Sequence, residues 1–303
     1  MKTAAPRMSG MERRDRRFAL ALLSPALIVT GLLILYPMYM VVMLSLREGK
    51  SMNFLESAGR PLGFGHYAAV LTDPATWASV TTTLIYTAGS MIPAFLGGFA
   101  FALLLNEKFP GRRWLRSLAL LPWAVPGVLV SVLFLWLLDA SYGIVNALLR
   151  DAGWIARDIA WLTDERTAMF AVILPTVWKS LPFFTLTILA ALQAVPEELY
   201  EAARMDGADK VQRLRFVTWP AVRGAAVLAF VLNTLWAFRE FDIIFATTGG
   251  GPYRATETLG IRAYLEAFSY FEIGRACVLG MVMLAIALLV VMAARRPLQK
   301  EFF

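Results

Sequence analysis

The chain contains apolar runs that are longer than a helix of a water-soluble protein requires. Between Phe18 and Leu46 there is no charged residue, and five further apolar stretches follow. A helix that crosses the roughly 30 Å hydrocarbon core of a bilayer needs about 20 apolar residues. Hydrophobic residues make up 58% of the chain and charged residues 17%, which excludes an ordinary soluble domain. The sequence therefore predicts an all-α membrane protein.

The apolar stretches predict six transmembrane helices. Their predicted bounds are 18–46, 77–105, 118–138, 168–194, 224–247 and 275–294. The first stretch begins like a signal peptide, but it is too long and lacks a small-residue cleavage site, so we interpret it as a retained anchor. Because it exceeds the thickness of the hydrocarbon core, we expect it to tilt or kink near Pro25 and Pro37. In the second stretch, the small residues within 97–100 favour close helix packing.

The lysines and arginines indicate how the chain is oriented in the membrane. Most of the 29 lie in the N-terminal tail, in the segments 108–116 and 204–223, and after residue 294. The positive-inside rule places these segments, and therefore both termini, in the cytoplasm. The same distribution accounts for the net charge of +7, so that charge is no evidence for nucleic-acid binding.

The sequence contains no recognisable reaction centre. A complete phosphate-binding loop, an HExxH motif and a GxSxG motif are all absent from it. The single Cys277 and the single His66 provide neither an intramolecular disulfide nor a metal site. We therefore predict a protein that is not an enzyme, that has no catalytic residue, metal or cofactor, and that takes its energy from a partner.

The polar segment 196–220 predicts a docking element between the fourth and fifth spans. Glu197 and Glu198 follow Pro196, where carboxylates favour the positive end of a helix dipole. Gly207 interrupts this predicted helix, and a basic run follows it. A helix–glycine–helix element outside the bilayer is suited to contact with another protein.

Within this segment the residues Glu201-Ala202-Ala203, then Gly207 after three residues, then Pro220 form a recognisable pattern. It resembles the EAA signature of the inner-membrane permease subunits of binding-protein-dependent ABC importers, with departures at Val217 and Trp219. In that family the loop forms a coupling helix that docks on the ATP-hydrolysing subunit. The resemblance implies that the ATPase-coupling residues here are Glu201, Ala202, Ala203, Asp206, Gly207 and Pro220.

A second pattern narrows the class of permease. The residues 238–242, followed by 247–252 and Thr256, resemble the FxxFD…LTxGGPxxxT pattern of carbohydrate-type permeases, with Thr247 where leucine is usual. They are similar to the first permease subunits for maltose, lactose and glycerol-3-phosphate. The resemblance implies a type I ABC importer permease fold in a bacterial or archaeal cytoplasmic (inner) membrane. It also implies three kinds of partner: a second homologous permease subunit, two cytoplasmic ATPase subunits and an extracytoplasmic solute-binding protein.

Polar residues inside the predicted spans are candidates for the substrate pathway, because such residues usually face a bundle interior or a wet cavity. Asn233, Trp236 and Glu240 have the i, i+3, i+7 spacing of one helix face, which suits the hydroxyls and the C–H face of a sugar. The full candidate set is Lys179, Asn233, Trp236, Arg239, Glu240 and Asp242. Mutual pairing of the three charged residues 239, 240 and 242, or pairing of Lys179 with a carboxylate, is an equally good interpretation.

These observations predict three regions. Residues 1–75 would contain a cytoplasmic tail, the first span and an outer loop; residues 76–295 would form the permease domain with the coupling loop 196–220; and residues 296–303 would be a cytoplasmic tail. The alternative function is an ion-gradient-driven secondary transporter. That class is typically built from internal repeats around a midplane site, and the sequence shows neither a repeat nor a relay of acids and bases.

Overall fold

The computed structural model describes residues 10–50, 54–57 and 59–302. Of the two predicted tails, residues 1–9 and 303 lie outside the described residues. In chain order the helices are α1 (Gly10–Thr30), α2 (Tyr36–Leu46), α3 (Phe54–Ser57), α4 (Gly65–Thr72), α5 (Pro74–Asn106), α6 (Arg112–Leu118), α7 (Leu121–Ala124), α8 (Gly127–Leu137), α9 (Ile144–Asp151), α10 (Glu165–Gln193), α11 (Glu197–Met205), α12 (Lys210–Arg213), α13 (Trp219–Phe238), α14 (Asp242–Thr247), α15 (Leu259–Tyr264) and α16 (Ile273–Phe302).

Within the described ranges, five helical stretches are long and apolar enough to cross a bilayer. They are Phe18–Leu46, Pro74–Asn106, Glu165–Gln193, Lys210–Phe238 and Ile273–Ala294. A sixth span is present if the bent pair Arg112–Ala124 and Gly127–Leu137 is taken as one crossing. The all-α fold with up to six spans agrees with the sequence prediction, whereas two of the predicted spans differ in their course.

The first span lies apart from the helix bundle along most of its length. A π-helical turn, Gly31–Leu35, joins α1 to α2, so the helical run deviates between the two prolines that were expected to kink it. No side chain from Phe18 to Tyr39 is buried. The side chains of this segment are therefore not covered by the rest of the chain, while α2 packs on α16 and α4.

The prediction of one continuous third span is wrong. The chain bends by 98° between Arg112–Ala124 and Gly127–Leu137. Val125 is extended, with ψ of 130°, because the ring of Pro126 disfavours the helical conformation of the residue before it. Pro126 also lacks the N–H that would continue the helix.

The predicted bounds of the fifth span are also wrong at both ends. The helix begins at Lys210 instead of residue 224, runs through a π-helical turn (Leu214–Thr218), and ends at Phe238 instead of residue 247. Pro220 comes at the start of α13, next to the π turn, so its missing N–H falls where the hydrogen-bond pattern already changes. Residues 239–241 leave the helix, and α14 is a separate short helix.

The core of the bundle is formed by α5, α10 and α13. Buried side chains from all three helices form one apolar cluster: Met91, Ala94, Ala102, Leu105, Phe184, Ile188, Leu189, Leu192, Val222, Ala226, Ala229 and Ala237. Phe95 joins the three helices, since its ring contacts Phe184 at 5.6 Å and Phe230 at 5.5 Å between centroids. A Cβ on Gly98 would lie 2.5 Å from the Cβ of Phe184. The close packing predicted for the small residues of the second span is therefore found at Gly98.

We predict that Gly98→Ala lowers the thermal unfolding midpoint of the detergent-solubilised protein, whereas Gly97→Ala does not. The added methyl group at Gly98 would also approach the backbone of Leu181 and Thr185 at 3.1 Å, and such overpacking costs about 1–3 kcal/mol. At Gly97 the nearest atom is the flexible Cδ1 of Leu181 at 3.3 Å. Both changes raise helix propensity equally, so equal midpoints would contradict the packing argument.

Candidate functional site

The helix α11 occupies the first half of the predicted docking segment. Its C-terminus is closed by two hydrogen bonds, from the N–H of Gly207 to the Arg204 carbonyl at 3.0 Å and from the N–H of Ala208 to the Ala203 carbonyl at 2.9 Å. Gly207 has φ of +78°, and no atom lies within 4 Å of the Cβ position. This is the Schellman arrangement, in which the left-handed conformation favours glycine. The helix therefore ends at the glycine, as the sequence predicts.

Beyond Gly207 the chain turns directly into the long helix Lys210–Phe238. Asp209 accepts a hydrogen bond from the Gln212 N–H at 2.7 Å, and the Gln212 side chain accepts one from the Asp209 N–H at 2.8 Å. This capping box fixes the start of α12. The hydroxyl of Tyr200 lies 3.3 Å from that of Thr218, so α11 is also tied to the π turn of the long helix. Both the turn and this contact therefore attach α11 to that helix.

The outward surface of α11 combines carboxylate and apolar side chains. Glu201, Ala202 and Asp206 are exposed, and Ala203 is half-buried. Leu199 is 50% exposed and Met205 is 88% exposed, with Ala202 between them at helical spacing. Exposed large apolar side chains around a small residue form a surface that another protein can approach closely. Of the predicted coupling residues, only Pro220 lies elsewhere, at the start of α13.

A second group of predicted residues meets at Gly127, the first residue of α8. A Cβ at this position would lie 3.4 Å from the Cβ of Asp242 and 3.6 Å from the Nζ of Lys179. The Ser131 hydroxyl also donates to the Ile243 carbonyl at 3.4 Å, which joins α8 to α14. The broken third span, the middle of α10 and the break after α13 therefore meet at one point. The sequence analysis missed Gly127, because a glycine after a proline carries no signal of what packs against it.

The charged residues at the break after α13 do not pair with one another. The Glu240 carboxylate accepts a hydrogen bond from the Ile243 N–H at 3.2 Å and so caps the first turn of α14. Arg239 and Asp242 are exposed. Among the described residues, no ion pair within 4.0 Å involves Arg239, Glu240, Asp242 or Lys179. The predicted alternative, mutual pairing of these charged residues, is therefore not found among the described ion pairs.

Asn233 and Trp236 lie in different environments. Asn233 is buried, and its side-chain amide donates to the Ala229 carbonyl of its own helix at 3.1 Å. Trp236 is 43% exposed, and its ring meets the edge of the Phe183 ring at a centroid distance of 5.3 Å. The prediction that both share one helix face with Glu240 is wrong for Glu240, because α13 ends at Phe238.

A buried ion-pair network lies at the end of the bundle opposite α11. Arg262 is only 7% exposed, and its guanidinium pairs with Asp73, with Glu257 at 3.3 Å and with Glu266 at 3.6 Å. Burial raises the pKa of the Glu266 carboxyl, and the charge of Arg262 opposes that rise. The network borders a cavity of about 290 Å³ that is lined by Gly249, Gly250, Arg254, Glu257, Arg262, Leu265, Glu266 and Tyr270. The sequence alone does not predict the network, because Asp73 lies 189 positions before Arg262.

Comparison with known proteins decides the family. Residues 94–299 match the family model described as binding-protein-dependent transport system inner membrane component. The chain belongs to this family. The predicted permease subunit of an ABC importer is thus confirmed, and the chain is a transport subunit instead of an enzyme.

The permease is similar over nearly its whole length to named transport proteins. It is 34% identical to the sulfoquinovosyl glycerol transport system permease protein SmoG of Agrobacterium fabrum, over 91% of this chain and 88% of that protein. It is also 34% identical to the trehalose/maltose transport system permease protein MalF of Thermococcus litoralis, over 88% of this chain and 87% of that protein. Its fold matches a bacterial ABC transporter involved in the import of alginate with a TM-score of 0.82, at 21% identity, over 96% of this chain and 98% of that chain.

The glycine-rich loop of the permease, residues 249–251, is held closed by two threonines. The hydroxyls of Thr248 and Thr256 lie 2.7 Å apart, and Thr256 donates to the Gly251 carbonyl at 2.8 Å. Gly250 has φ of +94°, and a Cβ there would lie 2.9 Å from the Cγ2 of Ile261. The spacing of threonines and glycines that resembles the carbohydrate-type pattern therefore has a structural reason, because it closes a tight loop beside the Arg262 network.

We predict that Arg262→Met destabilises the permease far more than Arg254→Gln. Removal of Arg262 leaves the buried Glu266 carboxylate without its cation, and the loss of one partner from a buried ion pair costs about 3–5 kcal/mol. Arg254 also pairs with Glu257, but its side chain is 53% exposed, so its loss costs about 1 kcal/mol or less. Thermal unfolding midpoints in detergent measure the difference. An Arg262→Met midpoint at or above that of Arg254→Gln would refute the structural role of the network.

Proposed function

We propose that this permease forms, together with a second homologous permease subunit, the membrane pathway of an ATP-driven carbohydrate importer. An extracytoplasmic binding protein delivers the solute, and two cytoplasmic ATPase subunits supply the energy. The proposal is supported by relatives whose names specify a sulfoquinovosyl glycerol system and a trehalose/maltose system. It places the protein in the cytoplasmic (inner) membrane of a bacterium or archaeon, with both termini in the cytoplasm and the permease domain within residues 76–295.

The exposed surface of α11 carries the proposal. Glu201, Ala202 and Ala203 lie between the exposed side chains of Leu199 and Met205, so a partner that docks here covers apolar area and meets a carboxylate. Burial of apolar area contributes about 25 cal/mol per Å². Asp206 and Gly207 lie where α11 ends and the chain turns away from this surface, and Pro220 lies further along the connected helix. These six predicted residues would couple the permease to the ATPase.

Movement would pass from α11 to the break beside Asp242. The Tyr200–Thr218 contact and the tight turn at Gly207 attach α11 to the helix Lys210–Phe238. That helix is about 43 Å long at a rise of 1.5 Å per residue, and its far end lies close to Gly127, beside the middle of α10. ATP binding that shifts α11 would tilt the helix and alter the contact at Gly127. Such tilting opens the pathway alternately to each side.

The solute pathway would run past the break at residues 239–241. Trp236 presents an exposed ring on which the C–H face of a sugar can stack, and Lys179, Arg239, Glu240 and Asp242 offer charged groups to sugar hydroxyls. Asn233 would support this surface from behind, because its amide is turned to the Ala229 carbonyl. Charged groups at this depth are costly unless they face water or a polar solute.

We predict that Gly207→Val abolishes most uptake while Gly207→Asn retains it. A residue in the left-handed conformation costs about 1–2 kcal/mol, and asparagine tolerates that conformation better than the β-branched valine. The space around Gly207 is open, so only the backbone conformation distinguishes the two variants. The measurements are uptake and solute-stimulated ATPase activity of the assembled complex in proteoliposomes, with the amount of inserted permease as the control.

Both activities should fall about tenfold in Gly207→Val, the factor that corresponds to about 1.4 kcal/mol. Inserted protein should stay constant in both variants. Normal solute-stimulated ATPase activity in Gly207→Val would contradict coupling through α11. Uptake that persists without ATP and collapses with an ion gradient would instead identify a secondary transporter.

A further inference from the structure

Four aromatic rings between α13 and α16 lie in contact, three of them with one another and the fourth with Tyr264. Phe241 stacks on Phe245 with centroids 5.0 Å apart, and Tyr264 contacts both, at 5.1 Å from Phe241 and 4.8 Å from Phe245. Phe268 follows at 4.9 Å from Tyr264. We call these four rings the aromatic row. It joins the break after α13 to the segment that leads into α16.

The aromatic row is open along one side. Phe245 is 40% exposed and Phe268 is 66% exposed, whereas Phe241 and Tyr264 are half-buried. Phe241 and Phe245 precede the glycine-rich loop, and Tyr264 and Phe268 follow it. Within each pair the residues are four positions apart, which puts them on one side of a helical turn, and the fold brings the two pairs together. Two anchored rings therefore support two rings that are available for contact.

The open side of the aromatic row does not face hydrocarbon. Asp242 is exposed, and it lies three residues before Phe245 on α14, which puts both on one helix face. Asp242 and the Lys179 ammonium flank Gly127, and Lys179 is near the middle of the 29-residue helix α10. A carboxylate at the centre of a bilayer costs about 2.5–3.5 kcal/mol even by the mildest scale. The inner end of the row therefore borders a polar space.

We propose that the aromatic row is a stacking surface along which the rings of the carbohydrate move toward the charged residues at Gly127. This inference rests on the proposed carbohydrate pathway and extends it to Phe241, Phe245, Tyr264 and Phe268. The face of an aromatic ring is electron-rich, so it attracts the slightly positive C–H groups of a pyranose. Hydroxyls at the rim of the sugar stay free for water, and then for Arg239 and Asp242 at the inner end.

The spacing of the rings suits movement as well as binding. The exposed rings of Phe245 and Phe268 both contact Tyr264, with centroids 4.8 and 4.9 Å from it, so a pyranose can begin contact with one ring before it leaves the other. Stacking has no fixed hydrogen-bond direction, and it therefore leaves no deep minimum along the row. Selection among carbohydrates is left to the charged residues at the inner end.

A thiol reaction beside the row tests the proposal without knowledge of the transported solute. Cys277→Ser removes the single cysteine of the chain, and Ser269→Cys places a thiol next to Phe268 at an exposed position. The probes are glucosyl methanethiosulfonate and methyl methanethiosulfonate, applied to the assembled complex in membrane vesicles. The ratio of the two reaction rates reports whether a glucose ring is held beside the thiol. Glu165→Cys, exposed at the start of α10, is the reference position.

We expect the glucosyl reagent to be favoured roughly fivefold at Ser269→Cys relative to Glu165→Cys, as one ring contact of about 1 kcal/mol implies. Phe268→Ala should remove this preference and Phe268→Trp should keep it. Because the Phe268 ring is largely exposed, its truncation leaves the core intact. The proposal would be overturned if Phe268→Ala kept the full preference for the glucosyl reagent. It would also be overturned if Ser269→Cys did not react because lipid or the partner permease covers it. If the proposed importer function itself were wrong, a different experiment would show it, because Gly207→Val would then keep normal solute-stimulated ATPase activity.

Discussion

Backbone N–H and C=O groups that leave a helix inside a bilayer must find protein partners or water, because hydrocarbon offers none. This chain leaves regular helix at residues 125–126 and again at residues 239–241. The two breaks meet, since Gly127 contacts Asp242 and Ser131 donates to the Ile243 carbonyl. Irregular backbone at this depth is tolerated only where protein surrounds it or a polar space adjoins it. The pair of breaks is therefore where we propose that the solute pathway passes.

One long helix connects the second break to the proposed ATPase contact. The helix Lys210–Phe238 starts beside α11 and ends at the second break, so one rigid element joins the proposed ATPase contact to the proposed solute contact. At the opposite end of the bundle, Arg262 holds Asp73, Glu257 and Glu266 together and fixes the glycine-rich loop that follows α14. A movement of the long helix is thus confined between a docking surface and a buried ion-pair network.

Local signals in the sequence predicted the features that depend on few residues. The end of α11 at Gly207 follows from one backbone conformation, and the close approach at Gly98 follows from the absence of a side chain. Prolines did not have the same predictive value. Pro175 and Pro182 lie inside the continuous α10, whereas the chain bends at Pro126. Neighbouring helices decide which proline breaks a helix, and a single sequence does not contain that information.

Features that depend on distant residues were not predictable. Arg262 and Asp73 are separated by 189 positions, and both would pass for ordinary charges of an outer loop. The approach of Lys179 and Asp242 to Gly127 likewise requires the courses of α8, α10 and α14 to be known. The helical periodicity of 3.6 residues placed Glu240 on the face of Trp236, but α13 ends at Phe238. The sequence therefore supplied the candidate residues of the pathway, and the structure shows how they are arranged in space.

The central claim is that energy enters this permease through α11. It is tested most directly by a photo-crosslinking amino acid at Ala202 in the assembled complex, with the same amino acid at Ala152 as the comparison. We predict that Ala202 crosslinks to the ATP-hydrolysing subunit, with a yield that changes when ATP is added, and that Ala152 does not. Crosslinks from Ala202 to lipid or to the solute-binding protein, with none to the ATPase, would contradict the account.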